Sequence, residues 1–228
     1  MKVRLLSLVF LFFFGACSKK DHPSNNNLAD TPTAKAQYDN SNYGIYKGVF
    51  VGSSGIIIIN INNDNTIAAM LKIDGTTYNF TATQTIQPSQ ETTVNFVAGS
   101  NTFTFSVSPN GASPAITHLV INGHPNAAIL VVKETSTALV RCYEGTFSGS
   151  DTGIFNAIIY NNSVKALVKN SDNVTEIANG TVSNNQINAG TITSGATFTG
   201  TIEGDNTSGT WANTAADLKG SWSGRRTY

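Results

Sequence analysis

Apolar and polar residues alternate over short segments from Tyr46 to the end of the chain. In the segments that begin at Tyr78 and Phe103 every second residue is apolar, which predicts strands with one buried and one solvated face. The run at residues 56–59 is apolar throughout and predicts a strand that is covered on both faces. This part of the chain lacks helical periodicity, and turn signals separate the apolar runs at intervals of about 8 to 12 residues. The pattern therefore predicts an all-β fold.

The segments between the apolar runs contain specific turn sequences. Asp74-Gly75 predicts a two-residue hairpin, because both residues of such a turn need positive φ. Asn110-Gly111, Asn122-Gly123 and Asn179-Gly180 are similar candidates. Strands joined by tight turns are antiparallel, since a parallel pair needs a crossover of about a dozen residues or more. The sequence thus predicts antiparallel meanders.

The sequence also contains an internal duplication. The heptapeptide YKGVFVG, which begins at Tyr46, matches YEGTFSG, which begins at Tyr143, 97 residues later. Two other matched pairs of segments begin at Ile67 and Val164, 97 residues apart, and at Ser100 and Gly195, 95 residues apart. A nearly constant separation over three patches predicts tandem repeats, one at residues 45–138 and the other at residues 139–228.

Each repeat has room for about eight short strands. This number suits a small closed barrel, and closure removes the edge strands that would otherwise pair with neighbouring molecules. Side chains fill most of the lumen of a barrel of this size. We therefore predict two tandem antiparallel meander repeats that form small β-barrels. The alternative is one continuous β-sandwich that shares strands from both copies.

The first residues have the layout of a secretory signal. Lys2 and Arg4 precede an apolar stretch that extends to Phe14, about half the length of a membrane-spanning helix. Together with Phe14, the residues Gly15-Ala16-Cys17 resemble the lipobox of bacterial lipoproteins. The alternative is an ordinary cleaved signal in which the cysteine has no role.

The lipobox resemblance implies a specific mode of attachment. Residues 1–16 would be a signal peptide, and Cys17 would become the first residue of the mature chain. Its thiol would receive diacylglycerol, and the acyl chains usual in such lipoproteins, palmitate among them, give stable anchoring to a membrane. Ser18 resembles a sorting signal for the outer membrane. The resemblance therefore implies a lipid-anchored protein of the bacterial cell envelope, at the outer membrane, and leaves open which side it faces.

The segment after the cysteine, residues 17–44, is polar and aperiodic. It has too few apolar residues to offset the entropy lost on ordering. We therefore expect a flexible tether that holds the folded repeats away from the membrane.

Composition and charge exclude some partners. The chain has 14 basic and 14 acidic residues, so removal of Lys2 and Arg4 with the signal leaves 12 and 14 and a formal charge of −2. The basic residues are scattered, and only 12% of all residues are charged. A nucleic-acid binder should show a clustered basic face, so we expect no nucleic-acid partner.

The chain has two cysteines. If Cys17 is acylated, Cys142 has no partner, and the sequence predicts no disulfide. Cys142 lies in a predicted strand, and no neighbouring residue indicates the lowered pKa of a reactive thiol. We interpret it as a small buried hydrophobic residue.

Glycines and two tryptophans are concentrated near the end of the second repeat. Glycines at alternate strand positions indicate tight bends or space for a bulky neighbour, and Trp211 and Trp222 supply such bulk. These segments, with Arg226 in the final one, resemble the closing strands of small calycin-like (lipocalin-like) barrels on bacterial lipoproteins. If the protein binds a ligand, Trp211, Trp222 and Arg226 are the candidate binding residues, although core packing is the favoured role of both tryptophans.

Motifs of enzymes, cofactor sites and metal sites are absent from the sequence. The serine-containing loops at residues 52–55 and 149–153 occupy the same place in both repeats, so we interpret them as turns rather than catalytic loops. His118 and His124 flank a predicted turn, but no third ligand lies near them in sequence, so no metal site is predicted. The remaining acids are too dispersed to nominate a catalytic pair; they are Glu144, Glu176, Glu203 and Asp205.

The sequence therefore leaves the molecular function open between two classes. The favoured hypothesis is a non-catalytic binding or structural accessory module without a cofactor, which recognises a protein, a glycan or a small apolar ligand. The alternative is an envelope hydrolase that uses acids from both repeats. A cleft between the repeats that holds two neighbouring acids would support the hydrolase.

Overall fold

The computed structural model describes residues 28–228, which form two antiparallel sheets of eight strands each. The strands of the first sheet are β1 Gly44–Val51, β2 Gly55–Ile61, β3 Ile67–Ile73, β4 Thr76–Thr81, β5 Thr92–Ala98, β6 Asn101–Val107, β7 Ala115–Val120 and β8 Ala128–Glu134. Those of the second are β9 Arg141–Gly149, β10 Gly153–Tyr160, β11 Ser163–Asn170, β12 Thr175–Ser183, β13 Gln186–Thr191, β14 Thr197–Glu203, β15 Asn206–Asn213 and β16 Leu218–Arg226. The prediction of an all-β fold with tandem meander repeats is confirmed.

Both sheets have the same topology. Consecutive strands pair with each other, and the last strand of each repeat returns to pair with the first, β8 with β1 and β16 with β9. In the second sheet β15 also pairs with β16, so that sheet is a closed barrel. In the first sheet β7 and β8 are not hydrogen-bonded to each other, so that barrel is nearly closed. Because each repeat forms its own sheet, the alternative of one continuous sandwich is wrong.

The open edge of the first barrel coincides with an irregular strand. The pairing of β6 with β7 shifts register between Thr102 and Thr104, and His118 of β7 has a φ of 50°. A register shift of this kind bends the strand away from a regular ladder. The following connection, residues 121–127, packs against the first core through Ile121 and Ala127.

The hairpin predicted at Asp74-Gly75 is confirmed, with φ of 47° and 79° at its two residues. The turn predicted at Asn179-Gly180 is wrong, because both residues lie inside β12. Gly180 is required there by crowding, since a Cβ on it would lie 2.0 Å from the carbonyl oxygen of Asn188. The turn after β12 is instead formed by Asn184 and Asn185, whose φ values are 49° and 62°.

The duplicated heptapeptide forms the equivalent strands β1 and β9, and its glycine has a steric role. The tyrosine and phenylalanine on either side of it point into the barrel core. A Cβ on Gly48 would lie 2.2 Å from the Leu130 carbonyl oxygen, and one on Gly145 would lie 2.4 Å from the Phe155 ring. Glycine is kept at this position in both copies because neighbouring strands occupy the space of a side chain.

Side chains fill the barrel interiors, as predicted. The lumen of the second barrel has a cavity of only about 40 Å³, lined mostly by apolar residues. Aromatic residues of neighbouring strands interlock in both cores; Phe80 and Phe96 both contact Phe103 with ring centroids 4.9 Å apart. Since ligand pockets for small molecules measure about 300 to 1,000 Å³, the lumen of the second barrel is too small to be a ligand cavity of the lipocalin kind.

The two barrels pack side by side through an apolar interface. Val49 of β1 and Ile56 of β2 lie against Cys142 of β9 and Ile158 of β10, and all four side chains are buried. This contact explains why residues 56–59 are apolar throughout: Ile57 and Ile59 face the first core, whereas Ile56 faces the second barrel. The interpretation of Cys142 as a buried hydrophobic residue is confirmed, and burial raises the pKa of its thiol to about 12.

The interface also contains a buried ion pair. Lys47 Nζ lies 2.5 Å from Glu134 Oε2, and both side chains are almost completely excluded from solvent. The ammonium group also lies 4.8 Å from the centre of the Tyr228 ring. Glu134 accepts a further hydrogen bond from the backbone N–H of Val140, in the connection between the barrels.

The described part of the predicted tether is bonded to the barrels. Residues 36–38 form a short 3-10 helix, and the backbone N–H and hydroxyl of Thr33 donate to Glu134 Oε1 at 2.7 and 3.0 Å. Cys17 and the rest of the predicted tether and signal peptide lie outside the described residues. Among residues 28–228, no helix has the length and apolar character needed to cross a membrane.

Candidate functional site

A cleft of about 420 Å³ opens beside the interface between the two barrels. Its first wall comes from the β3–β4 hairpin, with Lys72 and Asp74, and from Ser54 before β2. Its second wall is Glu144 of β9 together with the C-terminal residue Tyr228. The cleft exists because the outer face of the first barrel packs on that of the second, so polar groups at the rim of each are brought together.

The hairpin holds Asp74 in place at the rim of the cleft. Its backbone N–H donates to the carbonyl oxygen of Ser54 at 3.0 Å, and the Ser54 hydroxyl lies 3.5 Å from Asp74 Oδ1. The carboxylate itself is about half exposed, at 52%. It is therefore positioned by the turn and remains accessible to a ligand.

Glu144 is the half-buried acid of the cleft. Burial raises the pKa of Glu144 above its ordinary value, and the neighbouring Asp74 carboxylate raises it further. The Gly55 backbone N–H and the Lys72 ammonium act in the opposite direction on the same pKa. The cleft thus contains two acids that interact electrostatically, one from each repeat.

A smaller recess of about 350 Å³ adjoins the cleft, because Asp74 lines both. Its other walls are the β1–β2 loop with Ser53, the β7–β8 connection with His124, and Lys169 of the second barrel. The Ser53 hydroxyl lies 3.0 Å from His124 Nδ1, and Asp74 Oδ2 lies 3.8 Å from His124 Nε2. The imidazole packs edge-on against Phe50, with ring centroids 5.7 Å apart.

Trp211 and Trp222 lie in the core of the second barrel rather than in the cleft. Their indole N–H groups donate to the backbone carbonyl oxygens of Ser148 and Thr210 at 3.0 and 3.1 Å. A Cβ on Gly220 would lie 2.5 Å from Trp211 Nε1, so the glycine does provide the space that the tryptophan occupies. The predicted core role of the tryptophans matches this placement, and their binding role stays a prediction.

Arg226 is also buried and connects the two ends of the described chain. Its Nε donates to the Tyr228 carbonyl oxygen at 3.0 Å, and its guanidinium donates to the Ala29 carbonyl oxygen. Asp205 Oδ1 lies 3.6 Å from Nη1. These contacts hold Tyr228 beside the cleft, and ligand binding by Arg226 stays a prediction.

The other residues singled out from the sequence are scattered. His118 is exposed on β7, Glu203 is exposed at the end of β14, and Glu176 accepts hydrogen bonds from Ser194 at the surface. Within residues 28–228, no three His, Cys, Asp or Glu side chains form a group that could hold a metal ion. Of the residues proposed from the sequence, Glu144 and His124 line the cleft and the recess.

No site role was predicted from the sequence for Ser53, Ser54, Lys72 or Asp74. The signals were present, since Asp74 belongs to the predicted hairpin and Ser53 to the predicted loop at residues 52–55. Their meeting with Glu144 and His124 depends on how the two barrels pack and on the connection between β7 and β8. Neither follows from local sequence.

Comparison of the chain with protein-family models, with curated proteins and with solved structures gave no match.

Proposed function

We propose that this chain is a lipid-anchored cell-envelope protein with a binding role, and that its ligand is a short glycan that carries an amino group. The observation that carries the proposal is the cleft, whose polar side chains come from both barrels. Its volume of about 420 Å³ falls within the range of about 300 to 1,000 Å³ that is usual for ligand pockets. The lumen of the second barrel, at about 40 Å³, is too small for such a ligand.

The charges of the cleft favour a hydroxylated ligand with one positive group. Asp74 and Glu144 supply two carboxylates against the single ammonium group of Lys72. Carboxylates accept charge-assisted hydrogen bonds from an amino group, and the hydroxyl of Ser54 can exchange hydrogen bonds with sugar hydroxyls. Because Glu144 is half-buried, an amino group beside it would offset the unfavourable burial of its charge.

The binding proposal is tested by calorimetric titration of the protein with chitobiose whose amino groups are free and with its N-acetylated form. We expect the free amine to bind and the acetylated form to bind more weakly. Glu144→Gln should lower the affinity about tenfold or more, because it removes a charge-assisted hydrogen bond. Glu203→Gln, an exposed acid of the second barrel, is the matched control and should leave the affinity unchanged. Equal affinity of the wild type and Glu144→Gln would contradict the proposal.

The lipid anchor is supported by the lipobox-like sequence that ends at Cys17. We expect the chain to incorporate an alkyne-tagged palmitate in bacteria and to sediment with membranes. Cys17→Ser should abolish the labelling and move the protein to the soluble fraction. Cys142→Ser is the control, because that thiol is buried in the interface between the barrels. Unchanged labelling of Cys17→Ser would exclude the anchor.

A second candidate function is a glycoside hydrolase that uses the same two acids. It is favoured by the raised pKa of Glu144, which burial and, to a smaller extent, the Asp74 carboxylate cause, because an acid with a raised pKa can serve as a proton donor beside an ionised partner. A hydrolase would release reducing ends from an envelope glycan, and both Glu144→Gln and Asp74→Asn would abolish the release. Saturable binding without any turnover would instead support the binding role.

A further inference from the structure

The recess between the β1–β2 loop, the β3–β4 hairpin and the β7–β8 connection brings together a hydroxyl, an imidazole and a carboxylate. Ser53 Oγ lies 3.0 Å from one ring nitrogen of His124, and Asp74 Oδ2 lies 3.8 Å from the other. The imidazole is 19% exposed, so it contacts solvent within the recess while Phe50 supports one edge of the ring. A hydroxyl next to a base that is oriented by a third group is the general arrangement of an activated nucleophile.

The positions of the two partners select one tautomer of His124. A neutral imidazole has one nitrogen that donates and one that accepts. The Asp74 carboxylate lies 3.8 Å from Nε2, beyond hydrogen-bond distance, but its negative charge favours the proton on that nitrogen. Nδ1 then has a free lone pair that accepts the hydrogen of the Ser53 hydroxyl. Both contacts therefore favour the tautomer of His124 that carries its proton on Nε2.

The second repeat offers an internal comparison. Ser150 occupies the position equivalent to Ser53, 97 residues later. Its Oγ accepts a hydrogen bond from the Lys219 backbone N–H at 3.1 Å, and neither of the two histidines within residues 28–228 bonds to it. The β15–β16 turn is short, whereas the β7–β8 connection of the first repeat is long enough to place His124 over the loop. The repeated serine is thus a turn residue in one copy and has a neighbouring base in the other.

We propose that Ser53 is a nucleophile for short acyl esters, with His124 as its general base and Asp74 as a positioning residue. This activity goes beyond the proposed binding function, because it uses the recess and a covalent step rather than the cleft. The recess of about 350 Å³ accommodates a small acyl group next to Ser53.

The reaction requires only water as a second substrate. Ser53 Oγ forms a bond to the acyl carbon while its proton passes to His124 Nδ1, and the leaving alcohol takes that proton as its C–O bond breaks. Water then attacks the acyl-serine and gives a proton to Nδ1. The bond from Oγ to the acyl carbon breaks, and the proton returns to Oγ as the carboxylic acid leaves.

The test is labelling of the full-length protein in detergent with a fluorophosphonate, followed by intact mass spectrometry and peptide mapping. The probe bonds to an activated serine and releases fluoride and a proton. We expect a single adduct, on the peptide that contains Ser53, and no adduct in Ser53→Ala or Ser53→Gly. Two replacements are used so that the test remains valid if one of them fails to fold. His124→Gln should slow the labelling about 100-fold or more. Ser150→Ala should be labelled at the wild-type rate.

Asp74 has a separate readout because it acts through His124. Asp74→Asn should slow the labelling, and Asp74→Glu should restore part of the rate, with both variants melting at a similar temperature. The proposal is overturned if the wild type forms no adduct, if Ser53→Ala is still labelled, or if His124→Gln reacts as fast as the wild type. These outcomes do not depend on glycan affinity. If the labelling experiment fails, the calorimetric test of glycan binding is therefore unaffected.

Discussion

Among single residues, the glycines of the second barrel leave the space that its large aromatic side chains occupy. Gly145 and Gly200 lie against the rings of Phe155 and Trp222, and a Cβ on either glycine would come within 2.4 Å of the ring. Protein interiors are close-packed, so even one added carbon must displace a neighbour. The glycines and aromatic residues of the second barrel are therefore complementary pairs.

Gly145→Ala should destabilise the protein by about 1 to 3 kcal/mol, because the new methyl group collides with the Phe155 ring and with a backbone carbonyl oxygen. Gly190→Ala is the matched control in the same barrel, since its Cβ would meet the nearest atom only at 3.4 Å. Urea unfolding followed by tryptophan fluorescence measures both changes. Equal stability of the two variants would show that the collision is relieved without cost.

The raised pKa of Glu144 gives the stability a defined pH dependence. Its folded-state pKa lies above the unfolded value because burial disfavours the charged form. The folded protein therefore binds more protons than the unfolded chain between the two pKa values, so this group's contribution to stability falls as pH rises through that window. The penalty is absent below the unfolded pKa and complete above the folded one.

Glu144→Gln should remove this penalty. At pH 8 we expect the variant to melt at a higher temperature than the wild type. At pH 3.5 this difference should disappear, because the Glu144 carboxyl of the wild type is then mostly protonated in both the folded and the unfolded state. Differential scanning calorimetry over this pH range provides the measurement. A difference that stays constant with pH would mean that Glu144 has the same pKa in the folded and unfolded states.

At the scale of elements, the segment before β1 is part of the fold. Lys133 of β8 donates from its ammonium group to the backbone carbonyl oxygens of Tyr38 and Tyr43 at 2.7 and 2.9 Å, and also to that of Ser41. One side chain thus satisfies three carbonyl groups of a segment that has little regular structure. Burial lowers the pKa of Lys133 to about 8, with Asp39 opposing the shift.

Lys133→Met should therefore lower the free energy of unfolding by about 1 to 3 kcal/mol, because half-buried carbonyl groups lose their donor. It should also expose residues 28–43 to limited proteolysis. Lys219→Met removes an exposed lysine from β16 and serves as the control. Identical cleavage patterns for the two variants would contradict the proposed role of Lys133.

Elements were predictable from the sequence where local pattern determines them. The alternation at Phe103 gave the strand β6, and Asp74-Gly75 gave a hairpin with positive φ at both residues. The Asn179-Gly180 pair gave a wrong turn prediction. Its glycine is needed because a side chain there would collide with the neighbouring strand, not because the chain turns. The cleft was not predictable, since Glu144 and Asp74 are far apart in sequence and meet only when the barrels pack.

At the scale of the whole molecule, the duplication produced two barrels that share one apolar interface. The outer face of β1 carries Val49 toward the second barrel, and it also carries Lys47, whose charge is compensated by Glu134. Removing one partner of a buried ion pair leaves an uncompensated charge, whereas replacing both by apolar residues often costs little. The interface and the cleft beside it depend on the same packing.

Lys47→Met alone should cost about 3 to 5 kcal/mol, because Glu134 remains buried without its partner. The double variant Lys47→Met with Glu134→Leu should cost less than the sum of the two single changes. The remaining cost reflects hydrogen bonds that Glu134 accepts from Thr33 and Val140. A double-mutant cycle measured by urea unfolding gives the coupling energy, and strict additivity would show that the pair does not act as a unit.

The proposed binding site lies between the two barrels, so a ligand there should contact both of them. A chemical-shift map of the ¹⁵N-labelled protein during titration with chitobiose whose amino groups are free tests this. We expect shifts at the backbone amides around Ser54 and Lys72 in the first barrel and around Glu144 in the second, all with one dissociation constant. Shifts confined to one barrel, or no saturable shift at all, would contradict it.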